Sequence, residues 1–380
     1  MAYKAPVTTY AVAPGYYLDE WLEENDVTQT QLAERLGFSR KHVNELVHGK
    51  TALTPAIALR LEQVTGVKAS FWNTMEATFR EDTARLEQEN ELAKEKDLVR
   101  ELNVKGMLRS MRQNGFIAKN ADGNRPGLVL QEFLSIFHVG SAPALKMALE
   151  TDTKQAAWRQ QTALDVNPIA VATWLQLARN AADASTRGQE LPAFSAQALN
   201  DMLPALRAMS SVRHPGEPGI ADALGNRLAE TGVILLFLPE VAGARTFGVT
   251  VWERENPVIV MSLRGKTDSQ FWFTLFHEIG HVLLHAGKST DPAIDGLEAG
   301  DPREAEADAF ANDILIPPSE RERLRRARKL DDVRSLAVEL GTSPGVLVGY
   351  LHHENVWPHN RGRGLYATMD ISKTTAHAGK

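Results

Sequence analysis

A single run of fifteen residues, FWFTLFHEIGHVLLH (Phe271–His285), leaves the chain few folds to adopt. Phe271, Trp272, Leu275, Phe276, Ile279 and Val282 would line every side of a helix, and a helix apolar all round is a buried one. His277, Glu278 and His281 are thereby carried into the interior, where ionisable groups are costly unless paired or bound to a metal ion. Residues four apart share a helix face, so His277 and His281 can present ring nitrogens to one ion. Glu278 follows about 100° further round, within reach of a water on that ion without being a ligand. Three protein ligands and an open position make a catalytic zinc site, so a third ligand has to come from elsewhere.

The chain supplies it in DPREAEADAFANDILIP, an amphipathic pattern that opens on Pro302. Glu304 and Asp308 are four apart on one face, and Ala307 and Ala311 are small enough for close packing on the first helix. Glu304 is then the third ligand. Asp308 accepts the free ring N–H of a ligand histidine and fixes its tautomer. Glu306 is the alternative ligand, but it projects to a different face from Asp308, and the helical geometry favours Glu304. The sequence has no cysteine, which excludes thiolate zinc, iron–sulfur clusters and disulfides and leaves His, Asp and Glu as the only metal donors.

At 380 residues the chain exceeds one ordinary core, and several domains are expected. Its first part is a different kind of object. In VTQTQLAERLGFSRKHVNELVHGK (Val27–Lys50), Thr28 is an N-cap, Gly37 a turn and Ser39 a second N-cap. Leu32, Ala33 and Leu36 face Val43, Leu46 and Val47, which is helix–turn–helix geometry. The outer face of the second helix shows Arg40, Lys41, His42, Asn44 and His48. Arg and Lys suit guanine edges and Asn suits adenine. Gln29 is placed to reach a phosphate, Ser39 and Lys50 complete the candidate DNA-binding set, and Glu45 is the residue least suited to DNA. The net charge of −6 argues against non-specific nucleic-acid affinity over the whole surface but not against a local reading module.

Between these ends lie a mixed-charge helix, EDTARLEQENELAKEKDLVRE (Glu81–Glu101), and an Ala-rich helical region with core positions at Trp158, Leu164, Trp174, Leu175, Leu177 and Leu199. A Pro/Gly loop follows at Ser210–Gly219, then three β-branched runs, Gly232–Glu240, Ala244–Glu253 and Pro257–Gly265, that suggest a small antiparallel sheet. The C-terminal part has a basic helix (Arg321–Lys329), a second helix–turn–helix-like pattern about Gly341 expected to pack on the metal domain, and a polar tail after Trp357. No leader-like or membrane-spanning apolar run occurs, and a cytoplasmic location is expected. The expected fold is multidomain and mainly α. An all-α helix–turn–helix domain (1–80) and a helical linker (81–215) precede an α+β domain with a small sheet (216–320) and a helical C-terminal region (321–380).

The residues from Pro14 to Arg80 resemble the XRE-type domain of HigA-like antitoxins. FTLFHEIGHVLLH with EAEADAFANDILIP resembles the ImmA/IrrE family of metallopeptidases, over about Ala221–Pro318. The first resemblance implies five helices, a homodimer and repression at an operator in double-stranded DNA, expected to be palindromic. The second implies a zincin-like fold, bound Zn2+ on His277, His281 and Glu304, Glu278 as general base, and cleavage of XRE-class repressors. A zinc metallopeptidase of regulated activity follows, acting on its own chain, a partner repressor or a toxin. The alternative is a non-enzymatic repressor whose metallopeptidase-like part senses a ligand.

Overall fold

The structure is a computed structural model that describes residues 10–103, 106–158, 167–187, 191–212, 219–262, 267–285 and 302–368. Leu164, the side chain of Trp158 and the end of the polar tail lie outside the described residues. The chain forms two compact units, one of Ala2–Lys96 with Arg125–Gln131 and one of Asp97–Asn124 with Glu132–Lys380.

The first unit is built from α1 (Gly15–Glu24), α2 (Gln29–Leu36), α3 (Arg40–Val47), α4 (Pro55–Thr65) and α5 (Ala69–Leu92). Local chemistry fixes where each starts. Thr28 caps α2 and exchanges hydrogen bonds with Gln31, Ser39 accepts from the His42 N–H at 3.2 Å, and Thr54 caps α4 ahead of Pro55. Gly37 closes α2 in the left-handed region, at φ 69°, where a Cβ would be strained. Leu18, Leu32, Val43, Leu61 and Trp72 are buried together as the core. Beyond Trp72, α5 carries charges in exposed helical pairs such as Arg85–Glu81 at 2.5 Å, which support a solvated helix.

After α5 come α6 (Lys96–Leu102) and α7 (Met107–Gln113), then α8 (Pro126–Phe137), whose first residues to Gln131 belong to the first unit and whose remainder belongs to the second. The second unit continues with α9 (Ala142–Trp158), α10 (Pro168–Thr186), α11 (Ala196–Val212) and α12 (Ile220–Ala229). Trp174, Leu175, Leu177 and Leu199 are buried there. Next come β1 (Ile234–Leu238), β2 (Gly248–Glu253) and β3 (Asn256–Ser262), then α13 (Asp268–His285), α14 (Pro302–Leu315), α15 (Pro318–Arg325), α16 (Leu330–Leu340), α17 (Pro344–His353) and a 3-10 turn (Arg363–Leu365).

The sheet differs from the antiparallel one expected. Its order is β1-β3-β2, with β1 parallel to β3 and only β2 antiparallel to it. The link from Pro239 to Phe247 carries the chain past the β3 position before a tight turn at Arg254 (φ 57°) brings β3 back between the other two. Strand propensity marks the runs but not their order, and β2 is left as an edge.

Around α13 a single core forms from the sheet residues Phe237, Ile259 and Met261, from Leu224 of α12, and from Leu315, Leu336 and Leu347 of the later helices. The pattern about Gly341 therefore turns inward: Val346, Leu347, Val348 and Leu351 of α17 are all buried. Ser343 caps α17, and its hydroxyl donates to the buried Asp268 carboxylate at the start of α13. Among the described residues no single helix is long and apolar enough to cross a membrane.

Candidate metal centre and nucleic-acid interface

Burial of α13 is close to complete, with Trp272, Leu275, Phe276, Ile279 and Val282 at 0% exposure and the polar His281, Glu278 and His285 at 3%, 5% and 0%. Its neighbour α14 comes in against Gly280, where an added Cβ would stand 3.2 Å from the Ala307 Cα. This close approach, with the small buried Ala307 and Ala311 opposite, brings the polar faces of the two helices together.

Between them, Nε2 of His277 and Nε2 of His281 are 3.0 Å apart. The Glu304 carboxylate lies across the pair, Oε2 at 3.3 Å from His277 Nε2 and Oε1 at 3.3 Å from His281 Nε2. Its Oε1 is shut away from solvent and takes part in no hydrogen bond. A buried acceptor without a donor is costly, and this one lies beside the His281 ring nitrogen. Two imidazoles and a carboxylate form the donor set that zinc prefers, so these three residues fit a divalent ion.

The electrostatics agree. Burial would lower the His277 imidazole, but hydrogen bonds to Asp308 and Glu304, together with the charges of Glu278 and Glu304, push it up to about 10. Burial would raise Glu304, but its contacts with His277 and His281 hold it down at about 2. Positive charge on His277 and negative charge on Glu304 are thus mutually favoured across the cluster.

The remaining carboxylates divide the work. Asp308 Oδ1 is 2.8 Å from His277 Nδ1, so the ring's other nitrogen is engaged from outside. Glu306 does not reach the centre; its Oε2 is 3.1 Å from His285 Nε2. Glu278 is buried beside the donors, and its Oε2 accepts from the Thr250 hydroxyl at 2.8 Å. Burial pushes its carboxyl up, opposed by the nearby His277 and His281. Gly248, at the start of β2, makes room for it: a Cβ there would meet Glu278 Oε1 at 2.6 Å.

Sequence reasoning missed Thr250 and Gly248, because a strand residue supporting a helix residue 28 positions later leaves no periodic trace. Of the other histidines and tyrosines near the motif, His352 is taken up by the Arg361 carbonyl at 2.7 Å and the Tyr366 hydroxyl at 2.8 Å. The Tyr350 hydroxyl accepts from Arg325. Next to the centre, a cavity of about 230 Å3 lies between α13, α14 and α17, lined by Gln270, Phe273, Asp308, Asn312, Val346 and His353 among others.

In the first unit, α3 buries Val43, Leu46 and Val47 and exposes Arg40, Lys41, Asn44 and His48. Ser39 and Lys50 are exposed at its two ends, and Gln29 and His42 are half-buried. Asn44 Nδ2 donates to Gln29 Oε1 at 3.4 Å, tying the two helices of the motif together at their outer face. The His42 ring packs edge-on against Phe38, with centroids 4.8 Å apart. Glu45 is drawn aside by the Thr51 hydroxyl at 3.3 Å and by Lys41 at 3.8 Å. Its charge is thereby partly neutralised on a face of cations and amides.

Comparison with known proteins finds two family matches. Residues 233–351 match the peptidase family described as the IrrE N-terminal-like domain, and residues 18–72 match the helix–turn–helix family of XRE type. No curated protein matches the chain. Among solved structures, the antitoxin HigA of Pseudomonas aeruginosa with the higBA promoter is 28% identical over 22% of this chain and 90% of its own, with a TM-score of 0.21. A second Pseudomonas aeruginosa protein, in complex with its operator DNA, is 29% identical over 20% and 82%, with a TM-score of 0.19. A HigA-family addiction module antidote protein from Coxiella burnetii is 24% identical over 23% and 96%, with a TM-score of 0.21. The chain thus carries an XRE-type helix–turn–helix domain and a metallopeptidase-like domain.

Proposed function

We propose that this protein is a DNA-binding, repressor-like regulator whose second unit is a zinc-dependent endopeptidase for a regulatory protein. The observation that carries the peptidase reading is Glu278, a buried carboxylate beside three convergent donors that has no place among them as a ligand. A structural metal site has no use for such a group.

In this reading His277, His281 and Glu304 hold zinc, with Asp308 fixing the His277 tautomer through Nδ1. Bound zinc acidifies a water and polarises a carbonyl as a Lewis acid. The chain's own residues do the rest. Glu278 has its Oε2 engaged by Thr250, so Oε1 receives the proton of the attacking water and later gives it to the leaving amine. Burial raises the basicity of that carboxylate, which suits a proton acceptor working near neutral pH. Among the described residues the edge strand β2, whose Thr250 supports Glu278, pairs only with β3, and its other side would take an extended peptide. In the first unit Arg40, Lys41 and Asn44 read bases, while Gln29, Ser39, His42 and Lys50 anchor phosphates. A palindromic operator calls for a homodimer.

The cavity lined by Asp308, the residue that backs His277, supports a second reading, in which the unit senses a small ligand and does not cut. One experiment separates the two. Wild-type protein and Glu278→Gln are incubated with zinc, alone and with XRE-type repressors, and then assayed for promoter binding. Cleavage by the wild type alone supports the peptidase; identical fragments from both, with promoter binding retained, leave the sensor.

A further inference from the structure

The two histidines of the candidate centre are backed differently. His277 Nδ1 meets the Asp308 carboxylate directly, at 2.8 Å. His281 Nδ1 meets a second imidazole, Nδ1 of His285, at 3.0 Å. His285 is fully buried, and its other nitrogen, Nε2, is 3.1 Å from Glu306 Oε2 at the surface.

A neutral imidazole has one N–H and one acceptor nitrogen, so the protons along this line are not independent. To offer Nε2 to an ion, His281 must carry its proton on Nδ1 and donate it to His285 Nδ1. His285 Nδ1 is then an acceptor, and the His285 proton sits on Nε2, where it donates to the Glu306 carboxylate. The opposite set of tautomers would place a proton on His281 Nε2, where the ion is to bind. It would also turn the lone pair of His285 Nε2 toward a carboxylate, which has only lone pairs to offer. The carboxylate at the far end therefore selects the metal-ready arrangement.

The spacing accounts for both acidic residues of EAE in α14. Glu304 and Glu306 are about 200° apart around the helix. Glu304 faces the ring nitrogens of the centre, and Glu306 reaches His285, one turn along α13 from His281. We propose that His285 and Glu306 are positioning residues that lock His281 in its Nδ1–H tautomer and so set the affinity of the site for zinc. The proposal rests on the metal-centre reading above.

It is tested in the full chain with His285→Leu, Glu306→Ala, the double variant and His285→Gln. Zinc affinity is measured by competition with a chelator, the metal-free melting temperature by calorimetry, and ligand geometry by the visible absorption of the cobalt-substituted protein. His285→Leu keeps the bulk of the side chain but removes both hydrogen bonds; it should weaken zinc about 10–100-fold and shift the cobalt spectrum. Glu306→Ala should weaken zinc by a smaller factor with no change in the metal-free melting temperature. The double variant should be no weaker than His285→Leu, because the two residues act in series. His285→Gln, whose amide can accept from His281 and donate to Glu306, should recover most of the affinity.

Wild-type affinity in both single variants, or losses that simply add, would overturn the relay. If His285→Leu does not fold, Glu306→Ala and His285→Gln decide: unchanged affinity in the first, or none recovered in the second, overturns it. A wild type that binds no zinc would remove the metal centre itself, whereas zinc bound equally by every variant removes only the relay.

Discussion

Substituting Gly280 by alanine tests how the centre is assembled. Gly280 lies between the two histidines in sequence, on the face of α13 that meets α14. An alanine Cβ would stand 3.1 Å from the Phe310 ring, 3.2 Å from the Ala307 Cα and 3.5 Å from the Ala307 Cβ. Two opposing effects follow. Alanine gains about 1 kcal/mol of helix propensity over glycine, while overpacking a tight core contact costs about 1–3 kcal/mol. The Phe310 ring can turn aside, but the Ala307 Cα is backbone, so α14 has to move out by a few tenths of an ångström. The net loss of stability is then at most about 2 kcal/mol, some 4–8 °C in melting temperature for a unit of this size.

The effect on the metal should be larger than that suggests. Glu304 lies three residues before Ala307 on the helix that moves, and its oxygens are already 3.3 Å from the ring nitrogens. A shift that spoils one of three ligands should weaken zinc about tenfold or more. The assay pairs a zinc titration with a melt of the metal-free protein. Zinc affinity equal to wild type together with a lowered melting temperature would show that the Gly280 contact packs the helices without positioning Glu304.

The titrations of His277 and Glu304 make the centre sensitive to pH in opposite directions. In the metal-free protein the raised His277, near 10, contributes stability that is complete below about pH 6.5 and is lost as pH rises through about 10. Glu304, held at about 2, contributes stability present above about pH 4.5 and lost as pH falls through about 2. Zinc has to displace the His277 proton, so its affinity should climb by up to about tenfold per pH unit between about 6.5 and about 10; a flat affinity across that interval would refute the competition. Thr250→Val removes the buried donor to Glu278 Oε2 while keeping the side-chain shape. Leaving that oxygen unsatisfied costs about 1–3 kcal/mol, and peptide hydrolysis should fall while zinc affinity holds; equal loss of both would mean that Thr250 supports the fold rather than the base. Arg40→Ala with Lys41→Ala should abolish the sequence-specific promoter shift, and an unchanged shift in a mobility assay would remove α3 from the groove.

Much of the centre could be read in the sequence because each half of it lies on one helix. His277 and His281 share a face at a spacing of four, as do Glu304 and Asp308, and the small residues between them announce that the helices meet. Thr28, Gly37 and Ser39 announce the helix–turn–helix for the same reason: caps and turns are local chemistry. What remained hidden is what only tertiary contact decides. Strand propensity located all three strands, but pairing order depends on where the Pro239–Phe247 link crosses, and the crossing has no signature in composition. The motif names His285 no more than it names Leu284, and only the arrival of Glu306 gives that ring a partner for its second nitrogen.

Gly248 bears hardest on whether the site can cut, since an HExxH pattern fits into any buried helix. What distinguishes a working base from a buried liability is the environment of its carboxylate, and Glu278 owes that environment to a strand outside the motif. The Thr250 hydroxyl holds one oxygen, and the missing side chain at Gly248 leaves space for the other, which a Cβ would approach to 2.6 Å. That contact is far inside van der Waals range, and the first residue of β2 is backbone that cannot turn away, so Glu278 itself would have to move. Gly248→Ala should therefore abolish hydrolysis while leaving His277, His281 and Glu304 free to bind zinc at wild-type affinity. Retained hydrolysis in that variant would mean that Glu278 works from another rotamer, and that β2 does not hold the base.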